Sequence, residues 1–178
     1  MRIRPASVED LPAVLAVERA AFGSNDEAEL VRDLLDDPTA RPVIDLLAED
    51  DRGAIGHILL TSAVLEGEGD VVETMLLTPL AVVPGSQGKG VGGSLVRQAL
   101  RDAAERGVGL VFVLGNPGYY ARCGFAPASR HGLQAPYPID PAMPDAWQVV
   151  ETRPGLIGSV SGRLLPAEVL RRPDLWRE

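Results

Sequence analysis

LLTPLAVVPGSQGKGVGGSLVRQAL, residues 76–100, holds three kinds of sequence in a row. Leu76 to Val83 is an apolar run of strand composition, and Pro84 to Gly93 is crowded with glycine. From Val91 to about Arg106 the apolar positions Leu95, Val96, Ala99, Leu100, Ala103 and Ala104 recur at the 3.6-residue period of a helix. A strand that turns through Gly85, Gly88, Gly90, Gly92 and Gly93 into a helix lets backbone N–H groups converge with no Cβ atoms in the way. The helix N-terminus adds positive dipole, and together they form a cradle for phosphate or pyrophosphate. Pro79 has no N–H to give to a ladder, and the run around it is too apolar for an exposed edge, so a bulge is expected there.

Two familiar phosphate loops fail on this stretch. The P-loop pattern needs a glycine five positions before the Gly of Gly-Lys and a Ser or Thr after the Lys; here position 83 is Val and Gly90 follows Lys89. The dinucleotide pattern G-x-G-x-x-G is met by Gly88, Gly90 and Gly93. It also requires an acidic residue closing the next strand, whereas Val111 to Leu114 runs into Gly115-Asn116. Some 80 residues precede the loop, which a dinucleotide fold would not place there.

Outward from the loop, strands and helices alternate. Arg2 to Arg4 reads as a short strand ended by Pro5, and Ser7 with Asp10 resembles a capping box. Leu11, Val14, Leu15 and Phe22 then give a helix closed by Gly23. A second helix is expected over Asp26 to Leu35, stopped by Asp36, Asp37 and Pro38. Val43 to Glu49 and Ala54 to Leu65 read as a hairpin around Asp50–Gly53, and Val71 to Val83 as a long strand after a polar turn. On the far side, Gly109 to Leu114 is a buried strand, and Asn116-Pro117 starts a brief helix ended by Gly124. Pro and Gly dominate to about Asp145, and Trp147–Thr152 with Leu156–Leu165 read as a closing strand pair. The expectation is a single domain over residues 1–178, of α/β (α+β) class with a mixed sheet.

Composition narrows the function. The chain has 178 residues, 46% hydrophobic and 24% charged, the balance of a globular protein rather than a fibrous or disordered one. Its net charge of −8 disfavours nucleic acid as a partner. Of 17 basic residues only Lys89 is a lysine, and it lies inside the glycine loop. One cysteine, Cys123, allows no intrachain disulfide and fits a reducing compartment. Acidic residues break the N-terminal apolar stretch, so no signal peptide is expected, and nothing approaches the length of a membrane span. The expected location is the cytoplasm. One cysteine and two histidines far apart leave no zinc site, so no metal is expected.

Gln87-Gly88-Lys89-Gly90-Val91-Gly92 matches Q/R-x-x-G-x-G/A, the acetyl-CoA loop of the GNAT N-acetyltransferases. Tyr119-Tyr120-Ala121-Arg122-Cys123-Gly124-Phe125 resembles that family's Tyr-x-x-x-Gly-Phe signature, at the expected distance after the next strand. The stretches IRPASVEDLPAVLAVERAAFG, AAFGSNDEAELVRDL, GHILL and LGNPGYYARCGF resemble one uncharacterised bacterial branch of the family, and the resemblance spans about residues 2 to 165. It implies a mostly antiparallel mixed sheet, splayed between its fourth and fifth strands, with acetyl-CoA as co-substrate in the wedge. Leu80, Ala81, Val82 and Val83 would pair through their backbone with the pantetheine arm, and a backbone N–H near Val82 would receive the oxyanion. The N–H groups of Gln87, Gly88, Lys89, Gly90, Val91 and Gly92 would bind the pyrophosphate. Tyr120, four residues before Gly124, would protonate the departing thiolate, with Tyr119 packing or lining the acceptor side. Asn116 would reach the pantetheine amides, although helix capping explains it equally well. Arg97 and Arg122 are candidates for the 3′-phosphate, with surface solvation as the plainer reading; Cys123 is a packing residue.

The general base stays open. Some members carry a glutamate where this chain has Leu76, and Glu73 falls on the opposite strand face. Glu18 interrupts the apolar stripe of the first helix, where burial would raise its pKa. His57 sits mid-strand among apolar residues, as a packed histidine or a base, and a water relay needs no base at all. The implied reaction is direct attack of an amine, from a small molecule or a protein, on acetyl-CoA. The alternative is a non-catalytic acyl-CoA-binding module on the same fold; either leaves room for a homodimer.

Overall fold

The protein's structure, a computed structural model, describes residues 1–177. Its elements are β1 (Arg2–Pro5), α1 (Leu11–Phe22), α2 (Asp26–Asp36), β2 (Ile44–Asp50), β3 (Gly53–Leu65), β4 (Glu73–Val82), α3 (Val91–Glu105), β5 (Val108–Leu114), α4 (Pro117–Tyr120), β6 (Ala126–Pro127), β7 (Leu133–Gln134), β8 (Trp147–Glu151) and β9 (Gly162–Leu165). The sheet runs β1-β2-β3-β4-β5-β8-β6, antiparallel throughout except for the parallel pair β4/β5. That pair is parallel because α3 carries the chain back across the sheet between them. The expected mixed, mostly antiparallel sheet is the one observed.

Local signals work as read. Asp10 accepts from the Ser7 N–H at 2.8 Å, closing the capping box ahead of α1. Gly23 ends α1 in the left-handed region at φ 72°. Strand β5 is apolar at nearly every position because both of its faces are covered. Leu110 and Phe112 enter the core under α1 and α2, while Val111 and Val113 enter the core under α3. Between Ile58↔Leu80 and Leu60↔Leu77, β3 advances two residues while β4 advances three. The extra residue falls at Thr78–Pro79, which is the bulge expected of Pro79.

The C-terminal third departs from expectation. The segments Trp147–Thr152 and Leu156–Leu165 do not pair with each other. Instead β8 lies antiparallel to β5 and β6, and β9 pairs with the end of β3 and with β7. The apolar edge of β5 offers β8 more burial than a sister strand would: Trp147 is fully buried and stacks on Phe112 at 5.2 Å between centroids. The Glu151 carboxylate then accepts the N–H groups of Leu156 and Ile157, at 3.0 and 2.8 Å, and turns the chain away from β8. Beyond β9, Trp176 packs edge-on against Trp147 at 5.6 Å and donates to the Leu170 carbonyl at 2.9 Å.

Candidate active site

Strand β4 pairs with β5 only as far as Leu77↔Val113, then leaves it. Val83 N–H bonds to the Ile55 carbonyl at 3.0 Å, which sets the phase of the antiparallel ladder with β3. By alternation, Ala81 turns its peptide groups to β3, while Leu80 and Val82 turn theirs away from it into the gap left by β5. The Val82 carbonyl is taken by Gln87 Nε2 at 3.0 Å. The Leu80 N–H and C=O and the Val82 N–H are thus hydrogen-bonding groups presented to the wedge.

The glycine loop closes one end of this wedge. Gly88 and Gly90 have φ of 73° and 85°, and a Cβ built on either would meet no protein atom within 4 Å, so the space beside them is open. Gly90 is the N-cap of α3, whose first-turn N–H groups have no partners inside the helix. The Lys89 side chain folds back to the Gly85 carbonyl at 3.1 Å, and neither residue lines the wedge. Across the gap, the Asn116 side chain accepts the Tyr119 N–H at 3.2 Å and fixes the start of α4. The Tyr119 hydroxyl lies over Gly92, where a Cβ would collide with it. The Tyr120 ring packs over Gly115 and edge-on to Phe125 at 5.5 Å, and burial raises its phenol well above the ordinary tyrosine value. Together these elements enclose an open cavity of about 1160 Å³. That exceeds a typical small-ligand pocket and leaves room for a long ligand and a second molecule.

The family profile described as Acetyltransferase (GNAT) domain matches residues 2–128, the part that builds the wedge, the glycine loop and α4. The chain belongs to the GNAT acetyltransferase family. Among its GNAT relatives is an uncharacterised N-acetyltransferase of Escherichia coli K12, YjhQ, 45% identical over 141 residues, which are 79% of this chain and 78% of that one. The E. coli GNAT N-acetyltransferase YhbS, solved with CoA, superposes with a TM-score of 0.85 at 31% identity, over 96% of this chain and 92% of that one. A GNAT acetyltransferase of Brucella melitensis, solved with acetyl-CoA, gives a TM-score of 0.73 at 26% identity, over 94% and 96% of the two chains.

Within this GNAT domain, most residues singled out in the sequence meet at one place. Leu80, Val82, Gln87, Gly88, Gly90, Val91, Gly92, Arg97, Asn116, Tyr119, Tyr120, Arg122 and Cys123 all line the cavity. Ala81, Val83 and Lys89 do not, Ala81 because its buried side chain lies on the strand's other face. The Arg122 guanidinium sits 4.7 Å from the centre of the Tyr119 ring, and Arg97 lies over Gly93. Leu76 lines the cavity, whereas Glu73 stands exposed at the opposite end of β4.

Glu18 and His57, both fully buried, meet on the other side of β4, where His57 faces Ala81 across the β3/β4 ladder and partly exposed Asp45 completes the cluster. His57 Nδ1 is 2.5 Å from Glu18 Oε1, and Nε2 is 2.8 Å from Asp45 Oδ1. Burial alone would lower the imidazole's pKa; the hydrogen bonds to Asp45 and Glu18 outweigh it and raise it to about 9. Burial raises Glu18 as well. Asp45 escaped the sequence reading because nothing local marks it. It meets His57 only through the β2/β3 register, in which Leu47 faces His57 and Asp45 faces Leu59. Met143, Leu170, Arg172, Asp174 and Trp176 were also missed. They reach the cavity from the C-terminal segment, whose path no short motif specifies.

Proposed function

We propose that the protein transfers the acetyl group of acetyl-CoA to a primary amine by direct attack. The observation that carries this reading is the pair of wedge-facing residues, Leu80 and Val82, set between the glycine loop and Tyr120. A pantetheine arm is a chain of amides that completes such a strand. The pyrophosphate fits the open space beside Gly88 and Gly90 at the start of α3. Asn116, Arg97 and Arg122 stand around the same groove.

The amine nitrogen attacks the thioester carbon, an N–C bond forms, and the C–S bond breaks. The carbonyl oxygen gathers charge beside the Val82 N–H, which is already oriented. His57 faces Ala81 across the β3/β4 ladder, but both of its ring nitrogens are held by Glu18 and Asp45, so the amine's surplus proton leaves through water. The thiolate takes a proton from the Tyr120 phenol, which recovers it from solvent. Burial raises the phenol, which keeps it protonated and able to donate.

The test joins binding to turnover. Acetyl-CoA is expected to raise the melting temperature, ATP and NAD to leave it unchanged, and amines to release free thiol from acetyl-CoA. Equal stabilisation by ATP would sink the acetyl-CoA reading. Binding without thiol release from any amine would leave the acyl-CoA-binding alternative in its place.

A further inference from the structure

Strand β8 buries a carboxamide where its neighbours are apolar. Gln148 is 1% exposed and stands between Val113 of β5 and Pro127 of β6 in the sheet. Val113 opposite it and Val150 two residues on belong to the core under α3. A leucine or methionine would pack there at no polar cost, whereas a buried carboxamide is costly unless its polar groups are bonded. What Gln148 bonds therefore accounts for its presence. Its Nε2 donates to the Gly115 carbonyl at 3.1 Å and, at 3.4 Å, to the Ala146 carbonyl. The Gly115 N–H donates to that same Ala146 carbonyl at 3.0 Å. The paired ladder of β5 and β8 ends at Leu114↔Trp147. The carboxamide thus holds the first peptide beyond it, the one that leads into Asn116. Asn116 is the N-cap of α4, and its carbonyl accepts the Tyr120 N–H at 3.2 Å.

The same residue, Gly115, bears on Tyr120 a second way. A Cβ at position 115 would stand 2.7 Å from Tyr120 Cε2 and 3.3 Å from Cδ2, closer than the ring can tolerate without moving. Gly115 is not among the glycines in the left-handed region, so space rather than backbone conformation calls for glycine here. The ring is placed between this missing Cβ and the edge of Phe125, 5.5 Å away between centroids. Neither contact reaches the phenol oxygen, which stays on the cavity side with Tyr120 in its lining.

Resting on the reading of Tyr120 as the group that protonates the departing thiolate, we propose that Gln148 and Gly115 are positioning residues for it. Gln148 fixes the Gly115 peptide, Gly115 leaves the ring its seat, and the phenol is aimed at the sulfur by both. Gln148 itself touches neither the cofactor nor the reacting atoms.

Thiol release from acetyl-CoA, with hydroxylamine as a small amine probe, tests this together with fluorine NMR. Gln148→Met keeps the bulk and removes the donor; it is expected to lower kcat by about five- to fiftyfold while the KM for acetyl-CoA stays within about twofold, since a misplaced group costs turnover rather than cofactor binding. Gly115→Ala is expected to act in the same direction. In a Tyr120→Phe background either substitution is expected to cost less than about twofold more, because the group they place is gone. The chain has three tyrosines, so 3-fluorotyrosine labelling gives a short spectrum in which loss of a signal in Tyr120→Phe assigns Tyr120. That signal is expected to shift in Gln148→Met and Gly115→Ala while the Tyr137 signal stays. A normal kcat in Gln148→Met, full additivity with Tyr120→Phe, or an unmoved Tyr120 signal overturns the proposal and leaves Tyr120 as the acid. A normal kcat in Tyr120→Phe removes the acid and this proposal with it. Thiol release that no amine evokes, hydroxylamine included, removes the transferase reading as well.

Discussion

Replacing His57 with leucine, a side chain of comparable bulk, should expose how α1 is held to the sheet. The substitution removes both N–H groups that hold Glu18 and Asp45, and leaves two carboxylates facing each other across an apolar side chain. Breaking a buried ionic cluster by deleting one partner costs about 3–5 kcal/mol. At about 2–4 °C per kcal/mol for a chain of this size, the melting midpoint should fall by roughly 6–20 °C. The pH dependence isolates the cause. The imidazole's pKa rises from an ordinary 6.5 to about 9 on folding, so the folded chain holds that proton more tightly than the unfolded one. At roughly 1.4 kcal/mol per unit, the protonated cluster contributes about 3 kcal/mol. That contribution is complete below pH 6.5 and is lost as pH climbs through about 9. Glu18, raised chiefly by burial, adds a slope of the same sign. Urea unfolding at pH 6, 7.5 and 9.5 reads both effects. Wild type should lose about 3 kcal/mol across that interval relative to the variant, and the two should converge at the alkaline end. A variant within about 1 kcal/mol of wild type at pH 6, or parallel pH slopes, would refute the charged-cluster account.

Tyr120→Phe should lower kcat by about 10- to 1000-fold with the KM for acetyl-CoA unchanged, because only the hydroxyl is lost; steady-state thiol release measures both. Gly92→Ala places a Cβ on the Tyr119 hydroxyl and should weaken acetyl-CoA by at least about tenfold in calorimetry. Adding Tyr119→Phe should recover part of that loss, since the ring carbon behind the hydroxyl stands 3.3 Å off. Trp176→Ala should cost about 3–5 kcal/mol in urea unfolding, because a buried indole that packs on Trp147 and bonds Leu170 leaves a cavity behind.

What could be read from the sequence was local. The glycine loop, the Ser7–Asp10 box, the Pro79 bulge and the Asn116-Pro117 helix start each depend on neighbours a few residues apart, and each stands in the structure as read. Glu18 was visible as a charge in an apolar stripe, and His57 as a polar break in a strand. Their meeting was not visible, because it needs α1 docked on β3 and β2 in register, with the first two partners 39 positions apart in the chain. The failure at the closing strands has the same root. Trp147 and Val149 show that the segment is half-buried without saying which strand it joins, and the unoccupied apolar edge of β5 decided that. The C-terminal wall of the cavity depends on Trp176 finding Trp147, a pairing between two indoles that no periodicity announces.

The wedge face of β4 offers main-chain atoms at Leu80 and Val82, while their side chains pack on the α3 side of the sheet. Any side chain that suits that packing leaves the peptide groups where they are; only proline deletes a donor. On the proposed reading, selection for the cofactor is blind to residue identity at these two positions. They are free to drift with the bulk of Leu95 and Val96 opposite rather than with the ligand. A homologue with different residues at 80 and 82 therefore carries no hint of a different ligand. Proline aside, the cofactor contact is lost there only by changing the course of the backbone.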